Sequence, residues 1–125
     1  MGNDSGCACG EAPKLIFACS GAADTGAIAD QAARKMTRDG TGKMYCMAGI
    51  GGGISGILKT TESAKDILAI DGCPVNCVKN CLEKAGFMEF KHIQVTDLGF
   101  EKGKSPMNDE SVARVAEKGA EMLAD

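Results

Sequence analysis

The sequence predicts an α/β fold: one three-layer domain with a four-stranded, mostly parallel sheet and about four helices, Rossmann-like or flavodoxin-like. Three observations carry this. Short continuous apolar runs, the mark of strands buried on both faces, alternate along the chain with segments whose apolar residues recur at helical spacing. Glycine-bearing turns close most of these runs. The chain has 125 residues, 44% of them hydrophobic, enough for one domain with its own core and too few for a second.

In chain order, residues 1–13 are small, polar and glycine-containing, and read as a flexible tail bearing Cys7 and Cys9; residues 14–125 read as the domain. Leu15 to Cys19 is the first strand, stopped by Ser20-Gly21. A helix follows, capped by Asp24 or Thr25, with Ala27, Ile28, Ala32 and Met36 on one face until Gly40 and Gly42 end it. Met44 to Ala48 reads as the second strand, Gly49 to Gly53 as its turn, and Ile54 to about Lys65 as the second helix. Ile67 to Ile70 is the third strand, ending at Asp71-Gly72-Cys73. Pro74 suits the first turn of the next helix, with Val75, Val78, Leu82 and Ala85 as its apolar stripe. Phe90 to Val95 is the fourth strand, and Asn108 or Asp109 caps a last helix carrying Val112, Val115, Ala116, Met122 and Leu123. Crossovers between parallel strands are expected to be right-handed.

Composition excludes several functions. Fourteen basic and seventeen acidic residues give a net charge of -3, and Arg34, Lys35 and Arg38, the one close basic group, read as a solvated helix face. Without a basic stripe and stacking aromatics, no nucleic-acid partner is expected. No apolar run approaches the roughly 20 residues that span a bilayer, so no membrane association is expected either. His92 is the sole histidine, which excludes H-E-x-x-H zinc sites; it reads as a residue at a surface or sheet edge. The seven cysteines are an odd number in a chain with no secretory signal, which points to the reducing cytoplasm and to thiols as metal ligands or reactive groups.

Their positions sharpen this. Cys19, Cys46 and Cys73 are evenly spaced, 27 residues apart: Cys19 at the C-terminal end of the first expected strand, Cys46 near that of the second, and Cys73 just after the third. In a parallel sheet those ends share one edge, where such folds place their ligands. Cys77, four residues after Cys73 and one turn into the expected helix, returns toward the same place. Cys19, Cys46, Cys73 and Cys77 are therefore the expected ligands of one zinc ion, since tetrahedral Zn²⁺ prefers four sulfurs. Cys81 reads as packing on the helix beside Val78 and Leu82. Cys7 and Cys9 form a C-x-C pair suited to a soft metal.

The glycine-rich turns read as tight turns that let backbone close around the sulfurs. No Gly-Lys-Ser/Thr makes a P-loop, and Gly51, Gly53 and Gly56 match a dinucleotide pattern only in part. A phosphatase-like or arsenate-reductase-like loop opened by Cys19 lacks its arginine, because Thr25 stands six residues on.

At Asp71-Gly72-Cys73-Pro74-Val75-Asn76-Cys77 the sequence resembles the DGC family, named for that tripeptide. The resemblance extends to Cys19-Ser20-Gly21 and to Cys46-Met47-Ala48-Gly49-Ile50-Gly51-Gly52, and so covers roughly residues 14–98. It implies zinc held by four cysteines, at the matching positions Cys19, Cys46, Cys73 and Cys77, and it supplies no reaction. The function expected is zinc handling, sensing or the organisation of a protein partner of unknown identity. Two rivals stand beside it: a thiol-dependent enzyme of redox, persulfide or metalloid chemistry using Cys73 or Cys77, and an interaction module with a purely structural zinc.

Overall fold

The structure is a computed structural model and describes residues 12–125. The first eleven residues, with Cys7 and Cys9 and most of the expected tail, lie outside the described residues. Four strands, β1 (Lys14–Ala18), β2 (Lys43–Met44), β3 (Asp66–Asp71) and β4 (Lys91–Gln94), pair in the order β2-β1-β3-β4, all parallel. Of the two expected topologies this is the flavodoxin-like order, whose switch point lies between β1 and β3. Those two strands run side by side from Lys14 opposite Asp66 to Ala18 opposite Ile70.

Period-two alternation sends successive side chains to opposite faces. Leu15, Phe17, Ile67 and Ala69 face one layer, where they meet Ile50, Val78 and Leu82. Ile16, Ala18, Leu68, Ile70 and Ile93 face the other, against Ile28, Ala32, Met36, Val112 and Val115. The second layer is built by α1 (Asp24–Arg38) and α5 (Asp109–Leu123); the first by α2 (Met47–Gly51), α3 (Ser55–Glu62) and α4 (Cys77–Lys84). Both long helices follow the apolar spacing read from the sequence.

Asn108 caps α5 as expected. Its side chain accepts from Ser111 N at 2.9 Å, and the Ser111 hydroxyl accepts from Asn108 N at 3.0 Å, a reciprocal capping box. At the other end, the ammonium groups of Lys91 and Lys14 donate to the carbonyls of Met122 (2.8 Å) and Leu123 (2.6 Å), where helix carbonyls are left without partners.

Four expectations need correction. The second strand is only Lys43–Met44; after Tyr45 N makes its bond to Ile16 O (2.9 Å) the chain leaves β1 and coils into α2, giving five helices rather than four. Gly49 and Gly51 are therefore helical, and a side chain at Gly49 would collide with Ile57, which packs directly on α2. The second expected helix, α3, ends at Glu62, short of Lys65. The third, α4, begins at Cys77, not Pro74: Cys73 to Asn76 form a turn closed by Asn76 N to Cys73 O (3.1 Å), with Asn76 left-handed at φ 56 and ψ 50. Val75 is consequently 62% exposed and Ala85 is exposed, leaving Val78 and Leu82 as the buried stripe.

The cap of α1 is the last correction. Ala23 occupies the N-cap position, and Asp24 is turned to a distant loop instead: its carboxylate accepts from Gly103 N (2.9 Å) and Ser105 N (3.0 Å) as well as Thr25 N (2.8 Å). The Gly103 and Ser105 amides hold this carboxyl below the ordinary aspartate range. A lowered folded pKa means that the contribution to stability is present above the unfolded value and is lost as pH falls through the folded one. Hydrogen-exchange protection factors of Gly103 and Ser105 are thus expected to hold at neutral pH and to fall in acid, and Asp24→Ala to abolish them at every pH.

Candidate functional site

The carboxyl ends of the strands carry the thiols, and among the described residues all five cysteines are free. Cys19 follows β1 directly. Its N–H binds Ile70 O (2.9 Å), tying the turn to β3, and its sulfur accepts from Gly21 N at 3.4 Å. Cys46 is the N-cap residue of α2 and is exposed. Cys77 is the first residue of α4, and Cys81 lies one turn on.

Cys19, Cys46, Cys77 and Cys81 line one cavity of about 1010 Å³ over the β1 end of the sheet, with Arg34 and Arg38 of α1 also in its wall. Arg34 is held by Asp30 at 2.9 Å and Lys35 by Asp39 at 3.2 Å, so the basic group expected to be only a solvated helix face also places Arg34 and Arg38 beside the thiols. Three of the four expected ligand residues therefore meet in one space. Cys73 does not line it; its sulfur lies 3.7 Å from the Lys102 ammonium. Cys81, expected to be packing, lines the cavity. The cause is the start of α4: with Cys73 outside the helix, the i,i+4 thiol pair on one helical face is Cys77 and Cys81. The Cys77-x3-Cys81 spacing was the available signal.

The Cys77 thiol is pushed up, first by desolvation, then by the negative charge of Cys19, Asp71, Cys73 and Cys81 nearby. A cation among these groups would reverse the sign of those interactions.

The tripeptide at the end of β3 has a physical role at each position. Asp71 is buried, 1% exposed; one carboxylate oxygen accepts from Val78 N (2.7 Å) and the other from Lys79 N (3.1 Å). It satisfies the amides that open α4, whose own N-cap residue Asn76 makes no side-chain cap. His92 Nε2 lies 2.9 Å from the same carboxylate. His92 is on the edge strand as expected, but its bond to Asp71 joins β4 to the start of the thiol-bearing helix, a contact that no local pattern marks. Gly72 is required by close approach: a Cβ there would lie 2.7 Å from Gly26 N and 2.8 Å from Thr25 C. Cys73 then begins the turn into α4.

Thiol donors are of the kind that a soft tetrahedral ion takes. Their spacing is open: among the described residues, no three Cys, His, Asp or Glu groups are gathered closely enough to hold an ion between them.

A small parallel α/β protein with thiols at the carboxyl ends of its strands is the class that this fold and site define. Residues 15–119 match the DGC domain, and the chain belongs to the DGC-domain family. It is 34% identical over 88 residues to the anaerobic and virulence modulator AnvM of Pseudomonas aeruginosa (strain PAO1), across 70% of this chain and 67% of that protein. No solved structure matches the chain. Among the described residues no helix is long and apolar enough to cross a membrane.

Proposed function

We propose that this protein binds one zinc ion through the thiols at its sheet edge and serves as a metal-dependent regulatory domain of the cytoplasm. The supporting observation is the cavity that Cys19, Cys46, Cys77 and Cys81 share. Cys19, Cys46 and Cys77 are three of the ligands in this reading, and the fourth comes from Cys73 or Cys81. Zinc bound by four thiolates is redox-inert and keeps no open position, so it supplies charge and order rather than a reacting group. The protein's own contribution is to seat the thiols: Asp71 fixes the start of α4, and the Gly21 amide holds the Cys19 sulfur. The similarity to a protein named as an anaerobic modulator supports sensing over bulk storage.

The test is metal content after anaerobic purification. About one zinc per chain is expected, lost on Cys19→Ser, Cys46→Ser or Cys77→Ser and retained on Cys7→Ser or Cys9→Ser. Because the two core clusters are built from Leu, Ile, Val, Ala, Phe and Met side chains, with Cys19 packed only at their margin, chelation is expected to lower the melting temperature while leaving the circular dichroism of the fold. A metal-free protein under these conditions overturns the proposal. A thiol-dependent enzyme is favoured by one contact, the Lys102 ammonium beside Cys73; rapid alkylation of Cys73 alone, in a chain that takes up no metal, is its signature.

A further inference from the structure

We infer that the cavity at the sheet edge binds a small aromatic anion, with Arg38 pairing its negative group and Met44, Tyr45 and Met47 packing on its ring. The inference goes beyond the metal reading above and does not depend on it. It rests on the size, the charge and the walls of the cavity.

At about 1010 Å³ the space is at the upper end of the roughly 300–1,000 Å³ typical of small-molecule pockets. It lies at the carboxyl end of β1, on the edge of a parallel sheet where such folds take their ligands. Much of the lining is apolar: Ala18, Met44, Tyr45, Met47, Ala48 and Val78. Arg34 and Arg38 are its cationic members, and among the described residues no Asp or Glu lines it. A wall with two guanidinium groups and no carboxylate selects for negative charge.

The two arginines differ. Arg34 Nε donates to Asp30 at 2.9 Å, so its charge is already met. Arg38, the last residue of α1, has neither an ion pair nor a hydrogen bond among the described residues, and the adjacent Asp39 carboxylate goes to Lys35 at 3.2 Å. Its N–H donors are left for an oxyanion, which a guanidinium can bind through two parallel hydrogen bonds.

The apolar wall is held in place before a ligand arrives. The Thr37 hydroxyl accepts from Met44 N at 2.8 Å and donates to Ala33 O at 2.9 Å, which ties the start of that wall to the turn of α1 where Arg38 stands. The Tyr45 ring rests edge-on against Phe17, with centroids 6.1 Å apart and planes at 76°. A fixed ring with methionine side chains beside it suits a flat aromatic body, because rings and thioethers both make favourable contacts with aromatic groups. The thiols form the other side. A bound molecule therefore covers Cys46, which is exposed and lines the cavity, and leaves Cys73, which does not line it.

The probe is anilinonaphthalene sulfonate, an aromatic anion whose fluorescence rises in an apolar site, titrated into the reduced, folded full-length chain after treatment with a chelator. A single saturable site is expected. Arg38→Gln, at an exposed position, is expected to bind about tenfold more weakly, the loss of one charged hydrogen-bonding group. Lys59→Gln, which removes the same charge outside the cavity, is expected to leave binding unchanged. Uncharged phenylnaphthylamine is expected to bind wild type and Arg38→Gln alike. Gly51→Leu, at a lining position where an added Cβ meets only the Cys81 sulfur at 3.6 Å, is expected to fill the space and abolish binding. In wild type, saturating probe is expected to slow alkylation of Cys46 and not of Cys73, a readout that needs no variant to fold. Equal binding of the probe by wild type and Arg38→Gln, or unaltered alkylation of Cys46, overturns the inference. A chain that binds zinc but not the probe overturns it and leaves the metal reading intact. One that takes up no metal yet binds the probe through Arg38 supports it and overturns the metal reading alone.

Discussion

Asp71→Ala is expected to lower the free energy of unfolding by about 3–5 kcal/mol, since it leaves two helix-opening amides without a partner at about 1–3 kcal/mol each. Asp71 is 1% exposed and is the one side chain that serves β3, β4 and α4 together, through His92 Nε2 and the Val78 and Lys79 amides. Its loss strands two helix-opening amides in the protein interior, where Asn76, the N-cap residue of α4, makes no side-chain cap. His92→Ala removes one of the three bonds and is expected to cost about 1–2 kcal/mol. Urea unfolding measures both. A smaller loss for Asp71→Ala than for His92→Ala would show that the carboxylate does not anchor α4.

The second large effect is expected of Gly72→Ala. The new methyl would stand 2.7 Å from Gly26 N and 2.8 Å from Thr25 C. Both are backbone atoms in the first turn of α1, so no rotamer change relieves the overlap. The expected loss is at the upper end of the roughly 1–3 kcal/mol seen for overpacking, or beyond it. Forcing the β3–α4 turn away from α1 also moves Cys77 relative to Cys19, so zinc affinity is expected to fall with stability. Gly56→Ala is the control: nothing lies within 4 Å of its added Cβ, and in the helical α3 alanine is expected to gain about 0.5–1 kcal/mol. Equal effects at the two glycines, read by urea unfolding and zinc titration, would refute the steric account.

These residues also mark where the sequence was legible. β1 and β3 were, because Leu15 to Ala18 and Ile67 to Ile70 are buried on both faces and leave uninterrupted apolar runs. α1 and α5 were, because fifteen residues are enough for helical spacing to repeat. Met44 to Ala48 misled because five apolar residues carry no period that separates strand from helix; pairing with β1 at only two positions decided it. Pro74 misled because proline favours a helix's first turn, yet it also fits the turn that the left-handed Asn76 completes. That three-residue displacement of the helix start is what moves the i,i+4 thiol pair from Cys73 and Cys77 to Cys77 and Cys81. Placement of the cysteines at one edge needed only a parallel sheet and was readable; strand order and the Asp71–His92 bond depend on contacts distant in sequence and were not.

The two faces of the sheet are covered unequally. Two fifteen-residue helices lie on one; helices of five, eight and eight residues lie on the other, and Cys46, Cys77 and Cys81 belong to them. Helices that short derive little stability from their own hydrogen bonds and depend on docking, here through Ile50, Val78 and Leu82 against β1 and β3. An ion held there would order this layer and stabilise the fold together. Its arrival or departure would be felt outside the protein as a change in one face only, where Ile54 leads into α3 and Val75 lies in the turn before α4, both more than half exposed.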